Sequence, residues 1–179
     1  MNKLPMNLPN RITIARMLLI PLVLLLLALE SIGFRIAAAA VFALASLTDW
    51  VDGAIARKRG LVTDFGKFMD PIADKLLVLL PFIWFCRDAA MGGVWAVMLM
   101  VAREIAVGGF RMVAAGKGAV IAAGQSGKIK TVVQIIAVLA LMLGLSSLGW
   151  LIAWVAAALS AVSGVEIFLK NRRVLEEKA

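Results

Sequence analysis

The sequence predicts an all-α integral membrane protein with six transmembrane helices and both termini in the cytoplasm. Three observations carry that expectation. Of the 179 residues 63% are hydrophobic and the mean hydropathy is +0.97, well above the roughly half-apolar share of a soluble domain. Only 17% are charged, so long charge-free runs follow, and six of them approach the about 20 apolar residues that a spanning helix needs. Finally, the lysines and arginines fall almost entirely at alternate ends of those runs.

The runs cover roughly 10–30, 33–56, 68–86, 94–116, 129–147 and 149–169. The first, with Lys3, Arg11 and Arg16 ahead of its apolar stretch 17–29, has the layout of a secretory signal. Five more runs follow it and no convincing small-x-small cleavage site does, so a retained helix is expected. The breaks at 30–33, 57–67, 87–93, 116–128 and 146–149 are rich in glycine, serine or charge, which interrupt helices. No linker is long enough to set off a second domain, so residues 1–179 read as one membrane-embedded unit.

Orientation follows from the positive charges. One side holds Lys3, Arg11, Arg16, Arg57, Lys58, Arg59, Lys67, Lys75, Arg103, Arg111, Lys117, Lys128, Lys130, Lys170, Arg172, Arg173 and Lys178, and the other only Arg35 and Arg87. That asymmetry predicts a multi-pass protein of the cell (inner) membrane whose basic side faces the cytoplasm. The net charge of +8 is then explained by this rule and by anionic headgroups, and no nucleic-acid partner is expected. With a single cysteine, Cys86, and no histidine, a disulfide framework and the usual zinc and iron sites are excluded. Chemistry must rest on carboxylates, amines, guanidiniums and hydroxyls.

The stretch from the second run into the third places Asp49, Asp52, Asp70 and Asp74 within or at the edge of apolar segments. A charge deep in a spanning helix costs about 2.5 to 3.5 kcal/mol, so four together need strong compensation. Asp49 and Asp52 are three apart, about 60° on one helical face, and Asp70 and Asp74 four apart, about 40°. Two adjacent helices can therefore aim four carboxylates at one point. Oxygen-only ligation without histidine or cysteine selects a hard ion, Mg²⁺ with Mn²⁺ or Ca²⁺ as alternatives, and two ions among four carboxylates would make a phosphoryl-transfer site. The competing account pairs these aspartates with Arg57, Lys67 and Lys75 as interfacial salt bridges, although surface pairs stabilise too little to justify acid within a span. Gly53 and Gly66 stand one turn or less from a carboxylate, where glycine admits a ligand or another backbone; helix packing alone accounts equally for either taken singly. Arg57, four after Gly53, can reach a phosphate in the same pocket.

These residues, Asp49-x-x-Asp52-Gly53-x-x-Ala56-Arg57, eight residues, then Gly66-x-x-x-Asp70-x-x-x-Asp74, resemble the complete signature of the CDP-alcohol phosphotransferase family. The resemblance implies an integral membrane enzyme that displaces CMP from a CDP-linked lipid by an alcohol, using two divalent ions, Mg²⁺ or Mn²⁺. It implies that Asp49, Asp52 and Asp70 are metal ligands, and that Asp74 is a ligand or neighbour of the second metal and the base that accepts the alcohol proton. Gly53, Ala56, Arg57 and Gly66 would line the CDP pocket. A homodimer is implied as well.

Beyond the signature, Arg103, Arg111, Lys117, Lys128 and Lys130 make the cytoplasmic side densely positive. Ordinary positive-inside placement suffices for Lys117. It explains Arg103 and Arg111 less well, since they lie eight apart on one helical face inside an apolar run and so point at a common target, or at Glu104 and the aspartates. A strongly basic pocket suits an acceptor that is itself a phosphate. The pattern Arg103-Glu104, Arg111, Gly127-Lys128-x-Lys130-Thr131-x-x-Gln134 resembles the phosphatidylglycerophosphate synthase branch, whose acceptor is sn-glycerol 3-phosphate. The opening Leu8-Pro9-Asn10-Arg11-Ile12-Thr13-x-x-Arg16 is similar to that branch too, and implies that Asn10, Thr13 and Arg16 support the nucleotide end of the site. CDP-diacylglycerol, sn-glycerol 3-phosphate and membrane lipids are thus the expected partners, with Arg103, Arg111, Lys128 and Lys130 on the acceptor phosphate. Two alternatives remain open at this point: the same chemistry with inositol phosphate, serine or phosphatidylglycerol as acceptor, and a divalent-cation transporter.

Overall fold

The computed structural model describes residues 8–59, 64–89, 91–119, 121 and 124–172, with the side chains at 8–11, 49–59, 64–68 and 91 outside the described set. Six α-helices are found among the described residues: α1 Leu8–Ala28, α2 Ile32–Arg59, α3 Asp64–Phe85, α4 Met91–Gly116, α5 Gln125–Met142 and α6 Ser146–Lys170. By length and composition three are apolar enough to cross a membrane, over Gly92–Gly116, Gln125–Met142 and Ser146–Lys170. Two shorter apolar helices cover Ile12–Ala28 and Ile32–Thr48. The chain divides into two compact units, Met1–Phe85 with Val138–Leu145, and Cys86–Ala137 with Ser146–Ala179.

In the first unit α1 packs against both α2 and α3. The buried positions recur at helical spacing: Ile20, Val23 and Leu27 on α1, Ala38, Ala39, Phe42 and Ala45 on α2, and Ala73, Leu77 and Phe82 on α3. Alanine on α2 lets its backbone come close to α1. The reverse faces are apolar as well, with Leu18 and Leu25, Leu44 and Leu47, Ile72 and Ile83 all exposed. A helix apolar on both sides suits an acyl-chain environment, where packing and not water exclusion distinguishes inside from outside. In the α1–α2 turn the left-handed residue is Glu30 at φ 57°, not the nearby Gly33. Its N–H reaches the Leu27 carbonyl at 3.2 Å, and the conformation costs a non-glycine residue roughly 1–2 kcal/mol.

The same unit contains the C-terminal end of α5, which stops earlier than the sequence indicates. The break is at 143–145 and α6 already begins at Ser146. Gly144, at φ 83°, sets a Schellman stop: Leu145 N–H donates to the Ala140 carbonyl at 2.9 Å and Gly144 N–H to Leu141 at 3.1 Å, while Leu143 N–H reaches Leu139 at 2.9 Å. Arg35 of α2 supplies the rest, donating from Nη2 to the Leu141 carbonyl at 2.7 Å and from Nε to Met142 at 3.1 Å. Its guanidinium carbon stands 5.8 Å from the centre of the Phe85 ring.

In the second unit α4 packs along α6 and the two run parallel, because residues early in one meet residues early in the other. A Cβ at Gly93 would come within 3.0 Å of the Trp150 indole, so glycine there lets the ring lie on α4. Further along, Val107, Phe110 and Ile167 form a buried cluster, and the Phe110 and Phe168 rings stand 4.6 Å apart. Gly118, at φ 76°, closes α4 with the same hydrogen-bond pattern as Gly144: Ala119 N–H to Ala114 at 2.9 Å and Gly118 N–H to Ala115 at 3.0 Å. α5 starts at Gln125, earlier than its apolar run. Asp64, which the sequence leaves in a loop, is the first residue of α3.

Candidate active site

On α1, Thr13 and Arg16 are one turn apart, and on α3, Asp70 and Asp74 are one turn apart. The two helices run parallel here, so the pairs meet in register. Thr13 Oγ1 donates to Asp70 Oδ1, and Arg16 Nη1 donates to Asp74 Oδ1 at 2.8 Å. Thr13 is 2% exposed, and the Arg16 and Asp74 side chains are 4% and 40% exposed. α1 thus grips both carboxylates from a buried face, while the Asp74 side chain stays partly exposed. Asp70 and Asp74 do share one face, as their spacing predicts. One partner of Asp74 is Arg16, which the salt-bridge account of the sequence did not name.

Asp49, Asp52, Gly53, Ala56 and Arg57 lie on the α2 backbone and Gly66 on α3, while Asn10 belongs to the first turn of α1. What these seven touch lies outside the described residues. Among the described residues no three acidic, histidine or cysteine side chains come together, and Asp49 and Asp52 are not in that set. Asp70 and Asp74 nevertheless fit a hard divalent ion in kind: both offer carboxylate oxygens, on one face, on a helix that follows directly on the one carrying Asp49 and Asp52.

The basic residues of the second unit separate into two kinds. Arg103 and Lys130 are buried, with side chains 10% and 6% exposed, and both engage Glu104, itself 8% exposed. Arg103 Nη1 donates to Glu104 Oε1 at 2.9 Å, and Lys130 Nζ donates to the same oxygen. Arg103 Nη2 also donates to Ser163 Oγ on α6 at 2.9 Å. Arg111 is half-buried on α4, within electrostatic reach of Arg103 and Glu104. Lys128 is exposed in the first turns of α5. One carboxylate therefore sits among three cations, Arg103, Lys130 and Arg111. Both Arg103 Nε and Arg111 Nε are buried without a hydrogen-bond partner among the described residues. Buried donors normally have partners, and an anion is the ligand that would supply them.

Sequence reasoning offered Glu104 as one of two targets for the arginines, and it is their centre. It missed Ser163. The available signal was polar: Ser160, Ser163 and Gly164, at three- and four-residue spacing, follow the apolar stretch 150–159 of α6. Ser126 Oγ, donating to Glu166 Oε2 at 2.6 Å, makes a further polar contact, between α5 and α6.

The sequence profile of the CDP-alcohol phosphatidyltransferase family matches residues 6–162. A Bacillus subtilis (strain 168) protein named CDP-diacylglycerol--glycerol-3-phosphate 3-phosphatidyltransferase is 46% identical over 190 residues, covering 95% of this chain and 97% of its own. Proteins of the same name from Rickettsia typhi and Escherichia coli (strain K12) are 39% and 37% identical. They cover 90% and 73% of this chain, and 95% and 74% of their own lengths. The aspartates that α1 holds in register are those of the signature, the profile spans most of the sequence, and the likeness runs nearly end to end: the chain belongs to the CDP-alcohol phosphatidyltransferase family.

Proposed function

We propose that this protein transfers the phosphatidyl group of CDP-diacylglycerol to sn-glycerol 3-phosphate, forming phosphatidylglycerophosphate and releasing CMP. The observation that carries the reading is the 46% identity, over 95% of the chain, to a protein named for that reaction. The buried cations around Glu104, with two arginine Nε donors that lack an acceptor among the described residues, support an acceptor that is itself a phosphate.

In this reading an acceptor hydroxyl oxygen bonds to the phosphorus bearing diacylglycerol as the bond from that phosphorus to the CMP oxygen breaks. Asp74 takes the hydroxyl proton, and its half-open carboxylate is oriented by Arg16. Asp49, Asp52, Asp70 and Asp74 are the residues to hold two divalent ions, Mg²⁺ or Mn²⁺. Charge neutralisation of the diphosphate and of departing CMP is what such ions supply when bound. Thr13 fixes Asp70. Asn10, Gly53, Ala56, Arg57 and Gly66 serve the CDP moiety. Arg103, Arg111 and Lys130 hold the acceptor phosphate, and Lys128 adds long-range attraction from its exposed position.

Six spans with both termini in the cytoplasm, in the inner membrane, complete the reading. Six helices, the parallel course of α1 with α3 and of α4 with α6, and the seventeen-to-two distribution of lysine and arginine support it. A homodimer follows from the family resemblance.

The test is CMP release from CDP-diacylglycerol by the purified protein in detergent with Mg²⁺, adding glycerol 3-phosphate, inositol phosphate, serine or phosphatidylglycerol in separate reactions. Release with glycerol 3-phosphate alone is expected. Release with another acceptor would overturn the roles given to Arg103, Arg111 and Lys130. No release, with Mn²⁺ uptake into proteoliposomes, would make the protein a transporter.

A further inference from the structure

Serine in an apolar helix commonly returns its hydroxyl to its own backbone, and Ser163 does so, Oγ donating to the Ser160 carbonyl at 3.0 Å. Its single proton is thereby used, so the hydroxyl meets Arg103 only as an acceptor, at 2.9 Å from Nη2. Glu104 holds the other terminal nitrogen, Nη1. The guanidinium is fixed at two corners, and its third nitrogen, Nε, is the one left buried and without a partner among the described residues. The stem is fixed too. A Cβ at position 164 would lie 3.0 Å from Arg103 Cγ and 3.6 Å from Nε, closer than carbon atoms comfortably pack, so the missing side chain of Gly164 gives Arg103 its place on α6.

We propose that Ser163 and Gly164 are positioning residues for the acceptor phosphate, setting Arg103 in advance so that its Nε edge is left to the phosphate oxygens. The inference rests on the reading of Arg103 as a ligand of glycerol 3-phosphate. An arginine free to rotate must be ordered when the ligand binds, whereas one held at two nitrogens and along its stem is already ordered. The effect falls on acceptor affinity and not on the chemical step.

Initial rates over glycerol 3-phosphate at saturating CDP-diacylglycerol, and the converse, decide it. Ser163→Ala is expected to raise the KM for glycerol 3-phosphate roughly tenfold, with kcat and the KM for CDP-diacylglycerol within about twofold of the parent. Ser163→Thr, which keeps the hydroxyl, restores the acceptor KM, and Gly164→Ala raises that same KM. In an Arg103→Lys background Ser163→Ala changes little, because the group it orients is gone. A loss confined to kcat, equal changes in both KM values, or full additivity in the Arg103→Lys background would overturn the proposal and leave the two residues as packing. Were the parent protein to use only an acceptor without phosphate, the functional reading would fail first, before any variant is compared, and the positioning role with it.

Discussion

Arg16 Nη1 lies 2.8 Å from Asp74 Oδ1, joining a cation buried on α1 to a carboxylate that is 40% exposed on α3. The pair is asymmetric: Arg16 is 4% exposed and Asp74 40%, so the buried partner orients the more exposed one. Two helices separated by the whole of α2 are thereby tied at the residue proposed to move the proton.

Asp74→Asn preserves shape and one acceptor oxygen for Arg16 while removing the basic lone pair. CMP release is expected to fall at least about 100-fold, with the midpoint of thermal unfolding in micelles within a few degrees of the parent. Near-normal turnover with intact metal binding would remove Asp74 from the role of base.

Chelation of divalent ions is expected to stop CMP release completely, and Mg²⁺ or Mn²⁺ to restore it. Carboxylate oxygens prefer hard ions, and the chain has no histidine to favour a softer one. Turnover that survives exhaustive chelation would end the two-ion reading.

Lys128 and Lys130 are two residues apart but differ in burial, and kinetics should separate them. Lys130→Met is expected to raise the KM for glycerol 3-phosphate about tenfold or more, since a buried charge-assisted contact is lost. For Lys128→Met, exposed and screened by salt, the change should stay under about threefold. Equal effects would argue that both act only through the general field of the basic surface.

Glu104→Gln leaves Arg103 and Lys130 buried without their shared counter-charge. A loss of about 3 kcal/mol in stability is expected, read as a lower unfolding midpoint in detergent. Glycerol 3-phosphate should then raise that midpoint more in the variant than in the parent, because its phosphate replaces the missing anion. A variant as stable as the parent would show that the cluster is compensated elsewhere.

Gly144→Ala and Gly109→Ala form a matched pair. A Cβ meets nothing within 4 Å at either position, but only Gly144 has a left-handed backbone. The first is therefore expected to cost about 1 kcal/mol through backbone strain alone. The second, inside α4, should be neutral or slightly stabilising. Thermal unfolding of the two variants side by side checks this.

Much of the helix plan was legible because the apolar runs are long and their breaks chemically plain, and the family was legible because its signature is acidic where a membrane should exclude acid. The boundaries were less so. The sequence offers serine and glycine across 144–149, and only the backbone bonds of Leu145 and Gly144 show which glycine ends α5. Glu30 in the left-handed position, three residues before an available glycine, carries no sequence signal at all. Within the candidate site, periodicity placed Asp70 and Asp74 together because they share a helix. The grips of Thr13 and Arg16 on them, and of Ser163 on Arg103, join residues 57 to 60 positions apart, which no spacing rule reaches.

At the end of α5 remote from Lys128 and Lys130, the last four carbonyls, Leu139 to Met142, are all taken, by the turn itself and by Arg35. An open helix end asks for water, and within hydrocarbon that demand would draw the interface inward. Here those four carbonyls are already satisfied, so the end of α5 asks for less water than an open one. A helix of 18 residues, about 27 Å long, precedes one of 25, about 37 Å, so in the proposed six-span arrangement the shorter one would end under lipid in any but a thin bilayer. Carbonyls capped in this way would lower the cost of that depth, and bilayers differing by roughly 5 Å in thickness should then serve this enzyme alike for as long as Arg35 is in place.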